Sequence, residues 1–178
     1  MVKIMKLAKY LNEQEELPDE IFNQARQDLK SAPRDVQEII EESALKINVG
    51  YKSPIDRIFD EKIQKESIVP PISPDEFYQS FKKTRKVLKD IYGKYITLYR
   101  LQGKDLIPDK HTLYFVKSIE FLDKFKEMYS DEDRNLEEYN VPIKDIIAVN
   151  VATEGKYEEF IVFNHRSEGL LLPESYGR

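Results

Sequence analysis

The prevailing periodicity of this chain changes at Gly93, and no other feature limits its fold as much. Before Gly93, apolar residues recur at spacings of three and four; after it, apart from the stretch Ile119–Met128, they alternate or run in short blocks. Gly93-Lys94-Tyr95-Ile96-Thr97-Leu98-Tyr99-Arg100 therefore reads as a helix stop followed by a short strand rich in β-branched and aromatic residues. Alternation puts Ile96, Leu98 and Arg100 on one face of that strand. The first two suit a core. The arginine closes the strand, where a core face opens into a cleft and a guanidinium's fork of donors matches phosphate oxygens. The plainer alternative is an ion pair with a surface carboxylate.

Upstream, five helices are expected. Ile4, Leu7, Ala8 and Leu11 mark the first, Pro18-Asp19-Glu20 opens the second, and the third starts near Pro33 with Val36, Ile39, Ile40 and Leu45 as its stripe. The fourth runs from about Pro54 through Ile55, Ile58, Phe59 and Ile63. Ile68-Val69-Pro70-Pro71-Ile72 reads as an extended connector. Ser73-Pro74-Asp75-Glu76 then has the form of a capping box, and behind it Phe77, Phe81, Leu88 and Ile91 share a face. Lys82, Lys83, Arg85, Lys86 and Lys89 read as the solvated side of that helix rather than a nucleic-acid patch.

Downstream, His111–Val116 is a second strand, and Ser118 caps a helix carrying Ile119, Leu122, Phe125 and Met128. Leu136–Val141 is a third strand. Pro142-Ile143-Lys144-Asp145-Ile146 is a tight turn leading to a strand through Ile147 and Val149, and Tyr157–Phe163 is the next strand. Leu170, Leu171 and Leu172 suggest a final one. The fold class is α+β: a helical N-terminal region, residues 1–72, followed by a two-sheet domain, residues 73–178.

Composition narrows the chemistry. The chain has 178 residues, 40% of them hydrophobic and 34% charged, enough for a core under a charged surface. Having no cysteine excludes disulfides, thiolate metal sites and thiol nucleophiles. The two histidines, His111 and His165, are far apart in sequence, which makes a histidine-rich metal site unexpected. The net charge of −5 argues against a dedicated duplex binder. No apolar run approaches the roughly 20 residues of a membrane span, so no membrane partner is expected; the missing cysteines and the two distant histidines leave no metal expected either. No glycine-rich phosphate loop is present.

Glu158-Glu159-Phe160-Ile161-Val162 sets two acids before an apolar strand, and alternation sends them to opposite faces. The order of features over about Thr84 to Phe163 resembles the ADP-ribosyltransferase fold, with its small phage-encoded members the nearest in pattern. Four stretches carry the resemblance: the helix, glycine and arginine-ending strand from Thr84 to Arg100; Leu113-Tyr114-Phe115-Val116-Lys117-Ser118; Val141-Pro142-Ile143-Lys144-Asp145; and the acid pair with its strand. The resemblance implies transfer of ADP-ribose from NAD to a host protein or nucleic acid, with release of nicotinamide. It implies action in a bacterial cytoplasm or association with a virion. It assigns Glu159 as the catalytic glutamate on the nicotinamide ribose and Arg100 as the residue holding the NAD phosphates. It makes Tyr114 or Phe115 a stacking partner for nicotinamide, Ser118 (or Thr112) the nearby hydroxyl, and Tyr157 the acceptor-selecting position. Tyr114-Phe115-Val116 stands where the family commonly has Ser-Thr-Ser, and Leu101-Gln102 intervenes before Gly103 where a glycine usually follows the arginine. A catalytically inactive domain of the same fold, serving as a binding or structural module of a phage particle, is the alternative.

Overall fold

A computed structural model of the chain describes residues 17–45, 53–68, 72–102, 110–120, 122, 135–151 and 158–178. The expected first helix, the Gly103–Pro108 loop and the Thr153–Lys156 turn lie outside these residues. Ile119, Glu120 and Leu122 are helical, and the remainder of the helix expected after Ser118 also lies outside.

Six helices are α1 (Asp19–Ser31), α2 (Arg34–Leu45), α3 (Pro54–Ile58), α4 (Glu61–Glu66), α5 (Pro74–Ser80) and α6 (Lys82–Tyr92). The strands are β1 (Tyr95–Gln102), β2 (Thr112–Phe115), β3 (Asn135–Pro142), β4 (Ile146–Val151) and β5 (Glu158–Phe163), with a 3-10 turn at Ile143–Asp145 before β4. They form two antiparallel sheets, β1-β3 and β2-β5-β4. An isolated bridge, with Tyr99 and Val116 exchanging both backbone hydrogen bonds at 2.8 Å, links them. The molecule is α+β, as expected.

Three expected elements differ. The helix from Pro54 breaks at Phe59–Asp60: Asp60 is extended, and its carboxylate accepts from the Lys62 and Ile63 N–H groups, so it stops α3 and caps α4. The helix behind Ser73 breaks at Phe81. There Asp28, reaching over from α1, accepts from both the Thr84 N–H and its hydroxyl at 2.8 Å, a cap supplied from another helix. The final strand is absent from Leu170–Leu172; Leu170 makes one bridge to Asp60, and the Leu171 N–H donates to the Phe59 carbonyl at 2.7 Å. The stop at Gly93 is as expected, with φ of 82°.

Alternation and register sort the strands onto two faces. On the inner face, Leu98, Phe115, Val149, Phe160 and Val162 pack with Leu88 and with Ile21 and Phe22 of α1. On the outer face, Ile161, Phe163 and Ala148 pack with Val36, Ile58 and Phe77 from the helices. A bulge between Ile146 and Ala148 turns both Ile147 and Ala148 outward. Each apolar cluster draws residues from both sides of position 72.

Candidate functional site

Arg100 ends the apolar stripe of β1, with Ile96 and Leu98 preceding it on the inner face. Its Cζ lies 5.5 Å from the ring centroid of Phe115. Opposite it on β3 is Glu137, and the Tyr139 hydroxyl donates to the Glu137 carboxylate. The Tyr139 ring meets Phe115 edge-on at 5.2 Å. The guanidinium is thus bracketed by an aromatic face, a phenol and one carboxylate. Burial lowers its pKa from the ordinary arginine value, against the pull of Tyr139 and Glu137. Its Nε is buried and makes no hydrogen bond to a described residue. The arrangement holds a flat cation against a ring, a contact worth about 0.5–2 kcal/mol depending on desolvation.

Glu159 is 5% exposed and faces the other way. Phe160 is in register with Phe115 and Val149 on the inner face, so its neighbour Glu159 points outward with its partner Asn150. Tyr114 marks the same side. Burial, the largest cause, pushes its phenol up to about 12, and the charges of Asp56 and Glu159 act in the same direction against the hydrogen bonds to Ser53 and Thr112. The Tyr114 hydroxyl donates to Ser53 Oγ at 2.9 Å. Below it Asp56, fully buried, accepts from the Thr112 N–H and hydroxyl at 2.8 and 2.6 Å and from the Ser53 N–H at 3.0 Å.

The structure therefore brings Arg100 to Phe115, and Tyr114 to Glu159, with the sheet between the two pairs. Glu158, 7% exposed and in register with Val151, turns to the inner face that Arg100 occupies. Ser118 is half-buried beyond the end of β2. Tyr157 lies outside the described residues.

Arg85 departs from the solvated face expected for it, while Lys82, Lys83, Lys86 and Lys89 are exposed. Its side chain is buried and donates to the Ile146 and Ile147 carbonyls, both at 3.2 Å, and to the Tyr78 carbonyl at 2.5 Å. It thereby satisfies backbone acceptors at the β4 bulge. Its Cζ sits 3.5 Å from the Tyr78 ring centroid, and burial lowers its pKa to about 10. This is a packing role.

Among the described residues, no helix is long and apolar enough to cross a membrane, and no group of three or more metal-ligating side chains is assembled. No protein-family model matches the chain, and neither do any curated proteins or solved structures.

Proposed function

We propose that this chain is an ADP-ribosyltransferase-like domain that does not transfer ADP-ribose and acts as a binding or structural module, of the kind a phage particle carries. The order of arginine strand, aromatic strand, valine-proline turn and glutamate strand supports the likeness, as do two small antiparallel sheets with that order. The observation behind the non-transferring reading is the separation of Arg100 from Glu159 by the sheet. Cleaving the bond to nicotinamide develops positive charge on a ribose, and the stabilising carboxylate must reach that sugar while the arginine holds the diphosphate of the same molecule. One NAD cannot meet both groups across a sheet. The Tyr114-Phe115-Val116 run, offering a phenol on one face and no hydroxyl on the other, fits the same reading.

A second reading is favoured by Glu158. If the inner-face acid does the work, the chain is an NAD-dependent mono-ADP-ribosyltransferase acting on a host protein or nucleic acid. Arg100 would then hold the diphosphate, Phe115 would meet the nicotinamide ring, and Glu158 would take the role the resemblance gives to Glu159. The test follows nicotinamide release from NAD in a bacterial lysate, for the unaltered protein, Glu158→Gln and Glu159→Gln. No release by any of the three is the result expected of the module. Release lost only in Glu158→Gln establishes the transferase. Release lost only in Glu159→Gln contradicts both readings.

A further inference from the structure

On the outer side, under the C-terminal segment, three side chains from distant parts of the sequence converge. His111, just before β2, is 2% exposed; Asp60, the cap of α4, is 6% exposed; and Ser167, in the turn after β5, is 8% exposed. Ser167 Oγ lies 2.8 Å from His111 Nδ1, and His111 Nε2 lies 3.2 Å from Asp60 Oδ2. The other Asp60 oxygen accepts from the Lys62 and Ile63 N–H groups at 3.0 and 3.1 Å, which fixes the carboxylate. In the tautomer that donates from Nε2 to the Asp60 carboxylate, Nδ1 is left to accept from the serine hydroxyl, which also lies 3.4 Å from the Glu168 carbonyl. That is a hydroxyl, a base and an orienting carboxylate in sequence.

The same contacts pin the C-terminal segment to α4, and two observations point beyond that role. A groove of about 510 Å³ opens at the edge of the trio; of the three only Asp60 lines it, with Lys62, Lys65, Glu66, Glu168 and Gly169, so Ser167 is reached from it past the adjoining Glu168. The N–H groups of Glu168 and Gly169, the two residues after Ser167, donate to no other described residue. Gly169 has φ of 71°, a turn that glycine adopts freely. Amides that donate to no other described residue, directly after a nucleophile and at the edge of a groove, are placed where a developing oxyanion would be received.

We propose that Ser167, His111 and Asp60 form a nucleophilic site that accepts an acyl group from a carboxylic ester in this groove, independently of the Arg100 face. The Ser167 oxygen bonds to the acyl carbon as its proton passes to His111 Nδ1. The ester C–O bond then breaks, and the leaving alcohol takes the proton from His111. Water, giving its proton to the same nitrogen, attacks the acyl-serine; the carboxylic acid departs and Ser167 recovers its proton. Asp60 is a positioning residue throughout. The groove walls carry both lysines and glutamates, so a small neutral ester is the matching class.

The full chain is treated with a fluorophosphonate probe and with p-nitrophenyl acetate, and the labelled serine is located by peptide mass spectrometry. Labelling of Ser167 in the native protein, absent after unfolding in urea, is expected. In His111→Gln, labelling slows by at least about a hundredfold. Asp60→Asn keeps an acceptor for the α4 cap yet removes the charge, and it slows labelling by at least about tenfold. Ser167 left unlabelled in the native protein overturns the proposal. So does labelling that is equal in the urea-unfolded chain, or ester hydrolysis that survives Ser167→Ala.

Discussion

At the scale of single residues, fully satisfied buried carboxylates do much of the joining. Asp56 accepts three hydrogen bonds, two of them from Thr112 at a sequence separation of 56. Its loss leaves the Thr112 N–H and hydroxyl and the Ser53 N–H without their acceptor, and unmade buried hydrogen bonds are costlier than made ones are favourable. Asp56→Ala is expected to lower unfolding free energy by about 3 kcal/mol, read by urea denaturation with an unchanged slope. Part of this was legible. Ser53-Pro54-Ile55-Asp56 has the spacing of the capping box expected at Ser73-Pro74-Asp75-Glu76; both halves of the box are present at Ser53, and the hydrogen bond given at Ser73 is its serine half, accepting from the Glu76 N–H. The reach of Asp56 to Thr112 had no local signal, because it depends on tertiary packing. Arg85 was misplaced for another reason. It lies four residues after Phe81 and three before Leu88, on the apolar stripe itself, so spacing argued for burial while charge argued for solvent. Burial prevailed because the β4 bulge offers carbonyls to its guanidinium.

At the scale of elements, start signals, residue type and apolar pattern together located α1, α2 and strands β1 to β5, and the breaks were what they missed. The interruptions at Asp60 and Phe81 both coincide with caps, one from the adjoining residue and one from Asp28 on α1. A one-dimensional pattern does not register a cap that arrives from elsewhere in the fold. The transition at Gly93 was legible because it depends only on the residue itself. Its φ of 82° and ψ of −130° are closed to a side chain, although nothing stands within 4 Å of a Cβ added there. Gly93→Ala is therefore expected to destabilise by about 1–3 kcal/mol through backbone strain alone, measured by thermal or chemical unfolding. The faces of the acid pair were also open to the sequence in principle. Alternation back from Phe160 sets Glu158 and Glu159 on opposite sides, but which side Arg100 shares depends on the Tyr99–Val116 bridge between sheets.

At the scale of the whole molecule, the C-terminal segment is a strap across the helices of the outer face. Ser175 donates to Asp75 through both its N–H and its hydroxyl, and the Tyr176 hydroxyl donates to Asp145. The Ser175 hydroxyl hydrogen bond, the largest cause, holds the Asp75 carboxyl below its ordinary value. A depressed carboxylate contributes stability that is present above its unfolded pKa and is lost as pH falls through the folded one. The strap is expected to loosen below about pH 4, seen as faster amide exchange at Ser175 relative to the core, with Asp75→Asn removing the pH dependence.

The central observation is that Arg100 and Glu159, the pair the resemblance would have act together, lie on opposite faces of the β2-β5-β4 sheet, and the central proposal resting on it is that the chain does not consume NAD. Nicotinamide release from NAD in a bacterial lysate, compared between the unaltered protein and Glu159→Gln, tests it directly. The account predicts no release above the lysate background from either protein. Release by the unaltered protein that disappears in Glu159→Gln would contradict it, since Glu159 would then have to reach the ribose from the face that Arg100 does not share.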